Sequence, residues 1–366
     1  MKLTTDRDAL LDALASAGRA ATAGSAFGVA GLSLSLDGDI LTATGADPDL
    51  VITATTTVNG QDNGSVVVPP RLIVDVVRSF KDGVVDLVSE DENLRVTSGA
   101  AEFTVRTIAT DVVALKPVPD TPDTIFGPLL AEGLRQVVRA ALKDNSRSPQ
   151  LTGVRIESTV RGVARLTATD SYRLAICDLT GVSLTDHPGP VIVPSRALAE
   201  VQRLVTDDQD ILFTCDDLHA TFTVGNVTLT TRLIRGDYPD VDRLIPASYP
   251  CSFTCDRETL TNAVKRVRTM ITASKGITTP VRLAFVPGGV DLTVETPETG
   301  RAFDRVDGVY VGDPGTIAFN PSFFLDGLDA VTGDKVSISY DDGGKPACLN
   351  GEDAGYRYLL MPVRVN

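Results

Sequence analysis

The chain has 366 residues, 43% of them hydrophobic, with a formal net charge of −14, five cysteines, two histidines and no tryptophan. That length predicts two or three domains with substantial cores, and no apolar run approaches the ~20 residues of a membrane helix. The acidic total excludes a uniformly basic nucleic-acid binder, but not one whose basic residues gather on a single surface.

The N-terminal stretch MKLTTDRDALLDAL lacks a signal-peptide pattern, so a cytoplasmic location is expected. A helix is predicted from near Asp6, with Leu10, Leu11 and Leu14 as its apolar face. Alternating strands are then expected at 32–36, 40–44 and 50–55, where β-branched residues recur at period two. Next comes Val66–Phe80 (VVVPPRLIVDVVRSF), a short strand, a proline turn and an amphipathic helix. The same design recurs at Val191–Val205, 125 residues on, and at Ile317–Val331, a further 126 residues on. Such spacing implies three copies of one module. In the first copy Leu72, Ile73, Val76, Val77 and Phe80 are expected to face the core. Arg71, Asp75 and Arg78 share the other face and align with Arg196, Glu200 and Arg203 of the second copy. Strands at 84–88, 94–97 and 102–108 complete the first module, and the proline-rich stretch 116–123 is a linker.

The second module begins with a helix over 128–143, presenting Arg135, Arg139 and Lys143 at intervals of four. A polar loop with Arg147 follows, then strands at 153–157, 164–169 and 174–179. After the shared element, strands are expected at 211–215, 219–224 and 227–233. The third module starts with a strand at 251–255 and a helix over 256–272. Arg257, Lys265 and Arg268 share one face of that helix, with Arg266 beside it. Strands at 281–286, 290–295 and 302–311, then 335–340, 347–349 and 356–365, flank the third shared element. Two helices and a majority of strands per module predict α+β modules, antiparallel sheets with helices packed on one face. The divisions are 1–120, 121–247 and 248–366.

Catalytic and cofactor signatures are absent from the pattern. His187 and His219 have no nucleophile or ligand cluster at motif spacing, and no phosphate-binding glycine loop or nucleophile elbow occurs. Asp207-Asp208, Asp216-Asp217 and Asp341-Asp342 occupy turn positions, where solvated carboxylates are the rule. Cys177, Cys215, Cys251, Cys255 and Cys348 are odd in number and scattered, which argues for small buried thiols over disulfides or zinc. What remains is a repeated scaffold with basic helix faces. Each arginine taken singly reads as a solvated residue. The matched registers of two copies favour a shared role against phosphates.

Several motifs carry a family resemblance: Leu151-Thr-Gly-Val, Thr167-Ala-Thr-Asp-Ser-Tyr-Arg-Leu-Ala, Gly236-Asp-Tyr-Pro-Asp and Tyr358-Leu-Leu-Met-Pro-Val-Arg. With the three-module layout, they make the whole chain resemble the bacterial sliding clamp family, the β subunit of DNA polymerase III holoenzyme. The resemblance implies a non-catalytic, cofactor-free DNA-binding protein that tethers the replicative polymerase for processive synthesis. It implies a head-to-tail homodimer, six modules in a ring around duplex DNA, with helices lining the hole. The DNA-facing set would be Arg71, Arg78, Arg135, Arg139, Lys143, Arg147, Arg196, Arg203, Arg257, Lys265, Arg266 and Arg268. Ser322 and Asp329 stand in the third shared helix where the other copies carry Arg.

The family also implies a pocket for short linear motifs of the polymerase, the clamp loader and repair proteins. Position by position it would comprise Leu151, Thr169, Ser171, Tyr172, Arg173, Leu174, Pro239, Arg243 and Leu244. Leu359, Met361, Pro362, Val363 and Arg364 would complete it, bordered by Asn320 and Phe323. Met270 and Ile271 are expected at the contact with the next chain. The chain departs from the family pattern in two places. An Arg-Pro motif after the first helix is replaced by 20–27, with only Arg19 nearby, and Ser171-Tyr172 puts a bulky ring at the pocket mouth. The departures leave an alternative: a divergent second-copy clamp with an altered pocket, acting as an inhibitor-tolerant substitute or a partner-sequestering scaffold.

Overall fold

The computed structural model describes residues 1–21, 31–81, 83–112, 115–119, 121–143, 147–184, 189–206, 208–272 and 279–364. His187, Asp207 and most of the stretch after the first helix lie outside them. In chain order the elements begin β1 (Lys2–Asp6), α1 (Arg7–Gly18), β2 (Leu32–Asp37), β3 (Ile40–Ala46), β4 (Leu50–Thr57) and β5 (Asn59–Asp62). They continue β6 (Gly64–Val68), α2 (Pro70–Ser79), β7 (Val84–Glu90), β8 (Asn93–Ser98), β9 (Ala101–Arg106) and β10 (Asp123–Phe126). The middle holds α3 (Gly127–Val137), β11 (Gly153–Ser158), β12 (Ala164–Thr169), β13 (Arg173–Leu179), β14 (Val191–Pro194) and α4 (Ser195–Leu204). Then come β15 (Asp210–Cys215), β16 (His219–Val224), β17 (Val227–Arg232), β18 (Cys251–Asp256) and α5 (Arg257–Thr272). The chain closes with β19 (Val281–Val286), β20 (Gly289–Thr296), β21 (Gly300–Asp307), β22 (Val309–Val311) and β23 (Thr316–Phe319). The last elements are α6 (Pro321–Ala330), β24 (Lys335–Tyr340), β25 (Ala347–Asn350) and β26 (Tyr356–Leu360).

The described residues form two compact units. The first takes the described residues within 1–131 and 196–233, and the second those within 132–184, 189–195 and 234–364. In the first unit one sheet runs β5-β1-β7-β8-β9 and the other β10-β15-β16-β17-β4-β3-β2-β6. In the second, one sheet runs β14-β11-β12-β13-β26-β25-β24-β18-β22 and the other β21-β20-β19-β23. Every pairing among them is antiparallel, as expected. The long sheets are continuous across module boundaries. Leu229 of β17 pairs with Ile52 of β4, and Leu174 of β13 pairs with Leu359 of β26. The central module's strands are therefore divided between the two units.

Local chemistry explains the helix ends. Asp6 caps α1 by accepting from the Asp8 and Ala9 amides at 2.9 and 3.1 Å, and Asn320 caps α6 through the Ser322 amide at 2.9 Å. Pro70 and Pro321 open α2 and α6, where a missing N–H costs nothing. Asp256 accepts from the Thr259 amide at 2.7 Å, starting α5; hydrogen bonding to Thr259 holds its carboxyl below the usual range. Leu10 and Leu14 of α1, with Ile73 and Val77 of α2, are fully buried in the first unit. Phe253, Phe285, Phe319 and Phe324 do the same in the second. Each such side chain stabilises its unit by about 2 kcal/mol.

The structure corrects several boundaries. Leu72 is 48% exposed, so the buried stripe of α2 is Ile73, Val76 and Val77, continued by Phe80. The helix expected over 128–143 ends as α3 at Val137 and tightens into a 3-10 turn at 138–140. It stops because the Leu142 amide donates to the Leu151 carbonyl at 2.8 Å instead of back along the helix. Lys143 thus lies past the helix, out of register with Arg135 and Arg139. Gly133 lets α3 approach its sheet; a Cβ there would sit 2.6 Å from Leu179. The strand expected over 302–311 is split at Gly308, where a Cβ would meet Phe253 and the Thr254 carbonyl at 2.6 Å. The last strand ends at Leu360, since Pro362 has no amide to extend a ladder. Strands β1, β5 and β10 were not expected at all.

Candidate nucleic-acid interface and partner pocket

In the first unit the basic helix faces lie on α2 and α4. Arg71 and Arg78 are exposed on α2, with Asp75 held by Arg78 at 3.0 Å. They line a 370 Å³ cleft against α1, joined by Arg19 and floored by Ala15, Gly18 and Val74. On α4, Arg203 pairs with Glu200, and Arg19 reaches Glu200 at 3.8 Å. Arg196 pairs at 2.6 Å with Asp47, whose side chain is only 6% exposed. Each expected Arg-acid seam is therefore present, and each acid neutralises part of its seam.

In the second unit the expected set divides. Arg135 holds Glu132 at 2.6 Å and donates to the Asp329 and Ala330 carbonyls at the end of α6. Its guanidinium caps that helix, where positive charge suits the dipole, and the Glu132 hydrogen bond raises its pKa. Arg139 pairs with Asp329. Both arginines are thus engaged with the end of α6, and Arg139 keeps about half of its side chain exposed. Asp329, which breaks the repeat pattern, is their counter-charge. Arg257 donates from Nε to the Gly333 carbonyl at 2.9 Å, and Arg266 pairs with Asp304 at 2.7 Å. Lys265 and Arg268 are exposed on α5, and Lys143 and Arg147 are exposed beyond α3.

The expected pocket residues converge on the β12–β13 turn, α6 and the tail after β26. Leu174 and Leu359 are 4% exposed and belong to a small apolar cluster with Ile176, Val241 and Cys348. Tyr238, Ile245 and Tyr249 pack on it half-buried. These six were not anticipated, although the alternation Leu174, Ile176 along β13 signals a shared face. Pro239, Arg243 and Leu244 are exposed near this cluster in sequence; Leu244 is 56% exposed, and Arg243 pairs with Asp240 at 2.8 Å. Leu151 and Thr169 are buried. The tail is held by two amides: Met361 donates to the Tyr172 carbonyl at 2.9 Å and Val363 to the Ala318 carbonyl at 2.8 Å. Met361 and Arg364 are exposed and Pro362 half-buried.

Arg173 is committed to contacts within the fold. It is 5% exposed, pairs with Asp170 at 2.9 Å and with Asp326, and donates to the Arg139 carbonyl. Its guanidinium lies 4.3 Å over the Phe323 ring, and Tyr172 stacks on that ring from 6.3 Å. Ser171 takes φ +75° without being glycine, a strain of about 1–2 kcal/mol. Thr169 holds this turn by accepting from the Ser171 amide at 3.1 Å and donating to the Arg173 carbonyl at 2.7 Å. Asn320 is occupied as the α6 cap. Free cysteines at 177, 215, 251, 255 and 348 are all buried, as expected. Among the described residues no cluster of three metal-ligating side chains occurs, and no helix is long and apolar enough to cross a membrane.

Comparison with known proteins bears on the same three segments. Residues 1–113, 125–240 and 242–364 match the N-terminal, central and C-terminal domains of the DNA polymerase III beta subunit. The beta sliding clamp of Streptomyces coelicolor is 31% identical over the whole of both chains. That of Staphylococcus aureus is 30% identical over 89% of this chain and 88% of its own. The crystal structure of the Pseudomonas aeruginosa DNA polymerase III subunit beta bound to griselimycin superposes over 100% of both chains, with TM-score 0.90 at 26% identity. The chain belongs to the DNA polymerase III beta subunit family, the bacterial beta sliding clamps.

Proposed function

We propose that this protein is the processivity clamp of a replicative DNA polymerase. Two copies close head to tail into a ring of six modules, divided in each chain at 1–120, 121–247 and 248–366. The ring holds duplex DNA by topology and works in the cytoplasm without catalysis or cofactor; the chemistry belongs to its partners. The observation that carries this reading is the recurrence of a strand, a turn and a helix with an exposed Arg-acid seam in α2 and α4. Arg71, Arg78, Arg196, Arg203, Lys265 and Arg268 are the phosphate-facing residues in this reading. Weak contacts of this kind are blind to sequence and leave the ring free to slide.

Two free sheet edges support the closure. Strand β9 ends one sheet of the first unit and β21 ends one of the second, and they expose Phe103 at 40% and Phe303 at 59%. An unpaired edge with an exposed aromatic is a template for a strand from another chain. Met270 sits beside β21, accepting from Thr299 Oγ1 at 3.0 Å. The apolar cluster around Leu174 and Leu359, edged by Leu244 and Met361, is the docking pocket for polymerase, clamp-loader and repair-protein motifs. The Streptomyces coelicolor and Staphylococcus aureus relatives carry the clamp name, which favours this over a partner-sequestering scaffold. The test is primer extension by a bacterial replicative polymerase with its clamp loader. Adding the protein should lengthen products at single-encounter polymerase levels; unchanged lengths would defeat the reading.

A further inference from the structure

Along β13, Leu174, Ile176 and Asp178 share one face, because strand residues two apart point the same way. The first two lie in the apolar cluster. The third opens into a cavity of about 720 Å³ at the other end of that face. Its floor is a row of alternating charge: Glu157 stands opposite Arg165, and Arg165 opposite Asp178. Arg165 grips Asp178 at 2.6 and 3.0 Å, and Arg357 reaches the same carboxylate at 3.3 Å. Glu157 is held by Arg155 at 2.7 Å. The last contact of Arg165 is with Asp242 at 3.2 Å, whose side chain is 68% exposed. Such an exposed pair is weak and exchanges readily for another carboxylate. Arg161, on the turn between β11 and β12, is exposed and has no ion pair among the described residues.

One short segment joins the two ends of the face. Val241 is buried in the apolar cluster, Asp242 lines the cavity, and Leu244 is exposed one 3-10 turn later. With Glu157 neutralised by Arg155, the arginines Arg161, Arg165 and Arg357 face Asp178 and Asp242, which leaves a surplus of one positive charge at the cavity in a chain of net charge −14. We infer that this cavity is a second docking point for partners of the apolar pocket, taking an acidic peptide segment that flanks their motif. A partner carboxylate replaces Asp242 on Arg165, and a second pairs with Arg161. From Leu174 to Asp178 the strand rises about 13 Å, a span that roughly four to six extended residues cover. The inference rests on the apolar cluster being the partner pocket.

The test is fluorescence anisotropy with the full-length protein and three peptides. One is a short apolar-tipped peptide ending in Leu-Phe. The others add a Glu-Asp-Glu run about five residues before or after the motif. One flanked peptide should bind about fivefold tighter than the short one at low salt, and the gain should vanish at high salt. Arg161→Glu should abolish the gain and leave the short peptide's affinity unchanged. Equal affinities for all three peptides, or an undiminished gain in Arg161→Glu, overturn the inference alone. So does an equal gain from adding free triglutamate to the short peptide, which marks a free-anion site. Failure of the short peptide to bind overturns the partner-pocket reading, and this inference with it.

Discussion

Replacing Arg173 by alanine should destabilise the second unit more than any surface change. The side chain is 5% exposed and its partner Asp170 is 7% exposed, so the variant leaves a buried carboxylate without its counter-charge. Removing one member of a buried pair costs about 3–5 kcal/mol. Asp170 keeps the Tyr172 and Arg173 amides at 3.0 Å each, which places the loss near the lower end. Loss of the guanidinium over Phe323 adds about 0.5–1 kcal/mol. A total of about 3–4 kcal/mol lowers the melting midpoint of a unit this size by about 6–16 °C, read by circular dichroism. Arg173→Lys should lose about 2 kcal/mol, since one ammonium cannot reach Asp170, Asp326 and the Arg139 carbonyl together. A midpoint shift of less than about 2 °C in Arg173→Ala would refute the claim that this arginine locks the turn.

Four further outcomes follow from the same geometry. Arg135→Ala should cost about 1 kcal/mol by uncapping α6, seen as faster amide exchange in its last turn, while DNA retention is unchanged. Burial pushes the thiols of Cys177, Cys215 and Cys255 up to about 12. Because a raised thiol pKa keeps the unreactive protonated form, a thiol reagent at pH 8 should label none of these three natively and all of them in denaturant. Leu244→Asp should weaken binding of an apolar-tipped peptide by more than about tenfold with no change in melting, because Leu244 is already 56% exposed. Arg71→Ala and Arg78→Ala should each flatten the salt dependence of DNA binding by about 0.9 in log–log slope; an unchanged slope would remove those residues from the phosphate-facing set.

Much of this molecule could be read from local pattern, and what could not was tertiary. Helix α1 announces itself by Asp6 and its leucine spacing, and α2 and α6 by prolines at their first turns. Strand β5 hides because Asn59-Gly-Gln-Asp reads as a turn; it pairs only as an edge against β1. Strand β10 follows a proline-rich linker and is recruited by β15. The Arg-acid seams of α2 and α4 lie within one helix turn and were legible. Arg135 and Arg139 were not, because their partners sit near Asp329, about 190 residues away, and spacing along a helix says nothing of that. The contacts of Arg173 with Asp326 and the Arg139 carbonyl were hidden for the same reason. The pocket floor was half legible: Leu174 and Leu359 came from motif matching, while Val241, Ile245 and Tyr249 come from an irregular segment whose burial no periodicity reports.

The central claim is that the protein holds DNA by encircling it. The direct measurement is to load the purified protein onto closed circular duplex with a bacterial clamp loader, isolate the complex at high salt, and then linearise the DNA. Encirclement predicts that the protein stays on the circle at salt concentrations that abolish phosphate contacts, and leaves once the DNA is cut. Loss from the intact circle at high salt, or retention on linear DNA with free ends, would contradict it.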